Sequence, residues 1–331
     1  MFRQSALSPF RFCVAPMLDW TDRHCRYFHR LLSKHARLYT EMVAAPALFH
    51  GDAARHLDFD AAEHPLALQV GGSDAAQLAH AARLAERWGY DEINLNCGCP
   101  SERVQHSSFG ACLMKEPGLV AQCVTAMRCA TTIPVTVKHR IGVDDITDYA
   151  FVRDFVGTVA NAGCDVFIVH ARNAILAGLS PKENREIPPL RYEVVRRLQN
   201  DFPELTFILN GGVDHWTNVE SLLDNDSPSP LAGVMVGRWT YHQPYILTEV
   251  DRRLFNVSTS PMTRRGAIEA FIPYMQKMLR QNVALRSMTR HLLGLYHGQP
   301  RARLFRQHLS TASNLGRNDI GVIYEALNLV V

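Results

Sequence analysis

Ile93-Asn94-Leu95-Asn96-Cys97-Gly98-Cys99-Pro100 is an apolar run interleaved with amides that ends in a Cys-Gly-Cys-Pro corner, with Ser101 and Glu102 beyond it. A short apolar run bounded by Gly and Pro reads as a buried strand stopped by a sharp turn. A side chain at such a corner is presented from a rigid element, where reactive groups are usefully held. The thiols here have three readings: catalytic acid or nucleophile, metal ligand, or small buried hydrophobe, the last being common for an unpaired cysteine. The surrounding chain discriminates among them.

Outward from this stretch, similar runs recur at Phe12–Leu18, Leu38–Val43, Leu66–Gly71, Glu92–Gly98, Pro134–His139, Asp165–Ala171, Thr206–Gly211 and Gly233–Gly237. Helical patterns lie between them, among them Ala75–Trp88, Leu119–Cys129, Thr147–Ala162, Arg191–Asp201 and Thr217–Leu223. Val, Ile and Leu fill the strands without strict alternation, as in parallel strands covered by helices. Eight βα units in about 240 residues predict an α/β fold of the (β/α)8 TIM-barrel type. A doubly wound open sheet usually has fewer strands and a Gly-rich first turn, which Ala15-Pro16-Met17 is not.

After about Asp251 strand signals vanish, and helical patterns follow at Thr263–Arg280, Val283–Tyr296, Arg301–Leu309 and Asp319–Leu329. Residues 1–250 are therefore expected to form the barrel and 251–331 a small all-helical domain, joined by Asn256–Pro261. Thr263 is an expected N-cap, and Pro273 is expected to kink or split its helix. Between Arg252 and Arg317 stand 12 Lys or Arg and one acid, Glu269, a local net of +11. With +3 overall, the remainder carries −8. Such asymmetry points to a polyanion-binding region on an acidic body, or else to a solvated basic face.

An apolar fraction of 47% and a charged fraction of 20% suit a globular chain. No run reaches the ~18 apolar residues of a membrane span. Met1–Phe12 lacks the h-region of a signal peptide. The eight cysteines are scattered without the spacing of a zinc module or disulfide framework. A reduced, cytoplasmic protein is expected. The one low-complexity stretch is the Asp-Ser-Pro-Ser-Pro loop at 226–230.

Active sites of such barrels lie at the C-terminal strand ends. Those ends are Ala15-Pro16-Met17-Leu18-Asp19, Glu41-Met42, Gln69-Val70-Gly71-Gly72, Asn96-Cys97-Gly98-Cys99-Pro100, Lys138-His139-Arg140, His170-Ala171-Arg172, Asn210-Gly211-Gly212 and Gly237-Arg238. Every one carries polar residues or glycine. The loops after the last two strands often bind phosphate, and Asn210-Gly211-Gly212 with Gly237-Arg238 offer close backbone approach and a cation. Lys138 and His170 could then meet the electron-rich edge of a planar ring, as a cation near a flavin's N1 and C2 oxygen does. Either residue alone would equally serve a structural hydrogen bond or ion pair. No Gly-x-Gly-x-x-Gly turn follows a strand, so a mononucleotide, FMN, is favoured over a dinucleotide.

These residues resemble a known family. Ala15-Pro16-Met17 with Asp19, Gln69, Asn94-Leu95-Asn96-x-Gly98-Cys99-Pro100-Ser101, Gly110-Ala111-x-Leu113-Met114, Lys138-x-Arg140-x-Gly142, His170-Ala171-Arg172, Asn210-Gly211-Gly212 and Gly237-Arg238 look like the tRNA-dihydrouridine synthases, from about residue 11 to 250. The basic tail resembles that family's tRNA-binding domain, and Gly178 to Leu190 resembles its A-type branch.

The resemblance implies a flavin enzyme that reduces the C5–C6 bond of tRNA uridine, at D-loop positions 20 and 20a, with NADPH reducing FMN. Carried over by motif, Pro16, Met17, Leu18, Gln69, Lys138, His170, Asn210, Gly211, Gly212, Gly237 and Arg238 would hold FMN. Cys99 would be the catalytic proton donor. Asn96, Lys182, Arg185, Arg303 and Arg306 would contact tRNA. No metal, membrane or obligate protein partner is implied, and a monomer is expected.

The chemistry is consistent with these assignments. Hydride delivery from reduced flavin to C6 builds charge from C5 to the C4 oxygen, so a general acid must protonate C5. A free cysteine thiol, with an ordinary value near 8.5, is mostly protonated at neutral pH. The target base must leave its stack to enter a barrel mouth. Cys97 stands where the family usually has a small aliphatic residue and reads as a packed, Val-like thiol; a Cys97–Cys99 redox pair or metal site is the alternative. Two other functions fit the scaffold: a flavin reductase of a free pyrimidine, and a non-catalytic RNA-binding protein. The basic tail speaks against the first, and the phosphate site with Cys99 against the second.

Overall fold

The structure, a computed structural model, describes residues 8–101, 109–224, 230–258 and 260–330. Residues 1–7 of the segment read for a leader, Glu102 and positions 226–229 of the low-complexity loop lie outside these. Among the described residues nine parallel strand segments are present: β1 Phe12–Val14, β2 Leu38–Tyr39, β3 Val43–Ala44, β4 Leu66–Gly71, β5 Glu92–Cys97, β6 Val135–Arg140, β7 Val166–His170, β8 Thr206–Asn210 and β9 Gly233–Val236. They run in the order β1-β9-β8-β7-β6-β5-β4-β2, with β3 also on β4. Val14 N–H donates to Arg37 O (2.8 Å) and Arg37 N–H to Phe12 O (2.9 Å), which closes the ring. The chain is a (β/α)8 barrel followed by helices.

Seven of the eight expected strands are single segments, and the second is two short ones. Thr40 explains the break: its hydroxyl, in place of a backbone carbonyl, accepts the Gln69 N–H at 3.0 Å. The expected barrel helices form within two residues of their reading, as Ala75–Trp88, Pro117–Ala130, Tyr149–Asn161, Tyr192–Asp201 and Trp216–Leu222. Asp74 caps the first of these by accepting from Gln77 N–H, and Gly89 ends it at φ 85°.

Two cores result. The larger lies between strands and helices. The smaller fills the lumen with Phe10, Cys13, Ala15, Tyr39, Ala67, Ile168, Ile208 and Met235. Alternation along β4, β5 and β6 puts Gln69, Asn94, Asn96, Thr136 and Lys138 on that same inner side, so one sector of the lumen is polar.

In the tail, Thr263 caps the helix Arg264–Arg280, its Oγ1 accepting from Gly266 N–H at 3.0 Å. Of the expected kink or split at Pro273, the split does not occur: the helix runs unbroken through that residue. It sits on the exposed side while Phe271, Ile272, Tyr274 and Met275 are buried, so the carbonyl it leaves unbonded faces water. The expected helix Val283–Tyr296 is present only as Arg286–Thr289. Residues 290–300 run as consecutive turns, and Gly294 presses on the barrel: a Cβ there would lie 2.2 Å from His242 O. Helices Ala302–His308, Ala312–Gly316 and Gly321–Asn328 complete the tail.

The tail is seated on the helix Arg23–Leu32. Tyr27 stacks on Tyr274 (4.0 Å between centroids), Phe28 meets Phe271 (5.2 Å), and buried His291 pairs with Asp22 (3.0 Å). The apolar core therefore runs from barrel into tail without a break. Among the described residues no helix is long and apolar enough to cross a membrane.

Candidate active site at the barrel mouth

Strand β5 delivers Cys99 to the mouth, and a polar ladder fixes it there. Asn96 Oδ1 accepts from the backbone N–H of both Gly98 and Cys99 at 3.0 Å. Cys99 O accepts from Ala111 N–H (2.9 Å), and Arg140 Nε donates to Gly98 O (3.2 Å). The corner is thus held through backbone atoms, and the partly exposed Sγ takes no part. Cys97, one pleat away, points out of the lumen into the core between strands and helices, with no exposed surface. Burial pushes its thiol well above the ordinary value. Cys97 is a packing residue, and among the described residues no cluster suited to a metal exists.

Below Asn96 the ladder continues across the barrel. Asn96 Nδ2 donates to Gln69 Oε1 (3.0 Å), Gln69 Nε2 to Asn94 Oδ1 (2.7 Å), Asn94 Nδ2 to Thr136 Oγ1 (2.7 Å), and Thr136 Oγ1 to Glu92 Oε1 (2.5 Å). Glu92, fully buried, also accepts from Tyr39 OH (2.8 Å) and pairs with Arg37 (3.2 Å). Burial raises its carboxyl, opposed by Arg37 and then by the hydrogen bonds from Thr136 and Tyr39. Each rung satisfies the next, which makes the β4–β6 sector rigid rather than costly.

The same register assembles basic side chains and amides. Asn96 faces Lys138 across β5 and β6, and Arg140, His170 and Asn210 stand abreast on β6, β7 and β8. Burial, then Arg140, lowers Lys138 to about 7. Burial, then Arg140 and Lys138, drives His170 well below its ordinary range. Arg140 falls to about 10 by burial, although it donates to Asn173 O and Asn184 O. Lys138 and His170 have no carboxylate partner among the described residues.

The glycines shape the remaining wall. Gly211 (φ 109°) and Gly212 (φ 67°) hold conformations that side chains disfavour, and a Cβ on Gly211 would lie 2.7 Å from the His170 ring. Asn210 braces β9, its Nδ2 donating to Met235 O at 2.8 Å. Gly237 faces Met17, whose loop is tied by Met17 N–H to Thr21 Oγ1 at 2.9 Å; Pro16 is half-buried and Leu18 is 66% exposed. Arg238 pairs with Glu186 (2.5 Å) and reaches Arg185 O. Exposed Lys182 and Arg185 stand on the rim, Arg185 close enough to act on Lys138, Arg140 and His170.

The mouth therefore gathers Cys99, Asn96, Lys138, His170, Gly211, Gly212, Gly237, Met17 and Arg185. Gln69 lies beneath, with both ends of its amide engaged in the ladder. Arg303 and Arg306 stay outside, exposed on the helix Ala302–His308. Sequence reading missed the part of Arg37, Glu92, Asn94 and Thr136 in anchoring Cys99. The signal was there: on a strand, Glu92, Asn94 and Asn96 share one face.

A closed parallel barrel with an anchored thiol and basic side chains gathered at its C-terminal strand ends has the layout of a barrel enzyme. A family model described as Dihydrouridine synthase (Dus) matches residues 13–328. The chain is 57% identical over 305 residues to a protein of Xanthomonas campestris pv. campestris, which spans 92% of this chain and 89% of that one. It is 53% identical to proteins of Salmonella typhimurium, over 99% of this chain and 97% of that one, and of Pseudomonas aeruginosa, over 97% and 95%. All three relatives bear the name tRNA-dihydrouridine(20/20a) synthase. The chain belongs to the dihydrouridine synthase family.

Proposed function

We propose that this protein reduces the C5–C6 bond of uridine in tRNA to 5,6-dihydrouridine, at D-loop positions 20 and 20a, with FMN as cofactor and NADPH as reductant. The observation that carries the reading is the anchored Cys99 set beside the neutral His170 ring and Lys138, an amine with no carboxylate partner among the described residues. The substrate follows the name its relatives share.

The residues fit an anionic flavin. Lys138 is half-buried and lacks a carboxylate partner among the described residues, and Gly211 and Gly212 leave free the space that side chains would take. Pro16, Met17, Leu18, Gln69, Lys138, His170, Asn210, Gly211, Gly212, Gly237 and Arg238 would hold it. When bound, the flavin supplies hydride to C6 of the uracil ring.

Cys99 holds a proton at Sγ and delivers it to C5. The ladder keeps that sulfur in place through Asn96. One Nδ2 hydrogen of Asn96 remains for the uracil edge, where it offsets developing negative charge. Lys182 and Arg185 meet phosphates at the rim, and Arg303 and Arg306, three residues apart on one helix face, meet others on the tail.

Incubation of the purified protein with NADPH and unmodified tRNA, followed by site-by-site mapping, should place dihydrouridine at 20 and 20a. Product at other positions, or on free uracil alone, would contradict the reading.

Two expectations follow for binding. Burial, then Arg140, lowers Lys138 to about 7, and its cationic form is the one that favours an anion. FMN binding should therefore take up a proton above pH 7, with affinity falling by up to about ten-fold per pH unit toward pH 9. Titration of flavin-free protein across that range checks this, and Lys138→Met should flatten the profile. Arg303→Ala with Arg306→Ala should weaken tRNA binding and lower its salt slope by about two contacts, leaving flavin content unchanged. Filter binding at several salt concentrations is the measurement, and an unaltered slope would remove these arginines from the tRNA surface.

A further inference from the structure

Beside the mouth, the barrel and the tail enclose a groove of about 610 Å³, lined by Trp20, Tyr241, His242, Arg290, His297 and Arg306 among others. Trp20 follows the loop of Met17 and Leu18, and Tyr241 lies one helical turn beyond Arg238. Two of the groove's lining residues thus stand two and three positions along the chain from Leu18 and Arg238. Trp20 and Tyr241 stack face to face, with centroids 4.4 Å apart and planes within 8°. This makes a two-ring platform, partly exposed on both members.

The groove's own lining carries only basic charge. Of the tail's cations, Arg252, Arg253, Arg265, Lys277 and Arg317 are neutralised by nearby carboxylates. Arg286, Arg290, Arg301, Arg303 and Arg306 have no carboxylate partner among the described residues. Arg264 and Arg280 also lack an ion pair, so seven of the tail's twelve cations are unpaired among the described residues; Arg290 and Arg306 of these line the groove, and no acid is among its lining residues. A second groove nearby contrasts with it, since its Arg264 is accompanied by Glu249. Arg290 bonds to the Tyr241 hydroxyl and so is fixed at the platform's edge, with Asp22 and Asp19 within electrostatic reach. A planar stacking surface beside guanidinium groups is what an unstacked nucleotide needs: a face for its base and cations for its phosphate.

We propose that this groove binds one nucleotide of the tRNA next to the target uridine, its base on the Trp20–Tyr241 platform and its phosphate between Arg290 and Arg306. The inference rests on the reading of tRNA as substrate. Extrusion of the target uridine into the mouth breaks the stacking of its neighbours, and the platform returns a stacking surface to one of them.

The test uses the flavin-loaded full-length protein and unmodified tRNA. Ultraviolet cross-linking followed by mass spectrometry should find a nucleotide adduct on the peptide of Trp20 or Tyr241, undiminished by NADPH. Trp20→Ala should weaken tRNA binding about ten-fold, the effect of losing one stacked base, with flavin content intact; Trp20→Phe should recover most of it. No adduct at either residue, or equal loss in both Trp20 variants, would overturn the proposal. So would displacement of the adduct by NADPH, which would make the groove a dinucleotide site. A native protein that neither binds tRNA nor forms dihydrouridine would instead defeat the underlying reading. A native protein active on tRNA but indifferent to Trp20→Ala would defeat this inference alone.

Discussion

Cys99→Ala is expected to lower dihydrouridine formation by about 10²–10⁴-fold, the range for removing a positioned general acid, while flavin content and NADPH oxidation stay intact. The structure makes this a clean substitution. Asn96, Ala111 and Arg140 hold the corner through backbone atoms of Gly98 and Cys99, so removing the sulfur leaves those bonds in place. The measurement is single-turnover product formation from reduced enzyme and unmodified tRNA. Cys97→Ala is the control, since its thiol is packed between strands and helices: it should cost stability and spare the reaction. Loss of activity in Cys97→Ala with retention in Cys99→Ala would reverse the assignment.

The largest expected effect on stability comes from Glu92→Ala, at about 3–5 kcal/mol, the cost of leaving one member of a buried ion pair without its partner. Arg37 would remain nearly buried with its charge uncompensated, and Thr136 and Tyr39 would lose their acceptor. Urea denaturation gives the number. Adding Arg37→Met should recover a large part of the loss, because the stranded charge is then removed as well. A single variant as stable as the parent would show that the ladder contributes nothing to the barrel. Because Glu92 stands at the foot of the ladder that ends on Cys99, the same variant should also loosen the active-site corner.

The fold was legible because its signals are local. Apolar runs cut by Gly and Pro marked eight strands, and Thr263 marked the start of the first tail helix. Tertiary context decided the exceptions. Thr40 breaks the second strand by replacing a backbone acceptor with its hydroxyl, and Pro273 is tolerated because its helix turns that face to water. The turns at 290–300 arise where Gly294 meets the backbone of His242, a contact that periodicity does not encode.

The site was legible where strand ends carry glycine or charge. It was not where its parts come from distant positions that only folding unites. Arg37 and Glu92, or Trp20 and Tyr241, are unremarkable residues in sequence, and their roles exist only in the register of the barrel. Gln69 and Asn96 were read as contacts for ligands, and each also bonds to the other beneath Cys99.

The central claim is that the barrel mouth couples a reduced flavin to uridine in tRNA through Cys99. The direct measurement is the visible spectrum of the purified, flavin-loaded protein under anaerobic conditions. Bleaching by NADPH should be followed by rapid return of the flavin absorbance when unmodified tRNA is added, and by little return with tRNA that already carries dihydrouridine. A protein without flavin, or one whose reduced form is reoxidised equally by free uracil and by tRNA, would contradict the account.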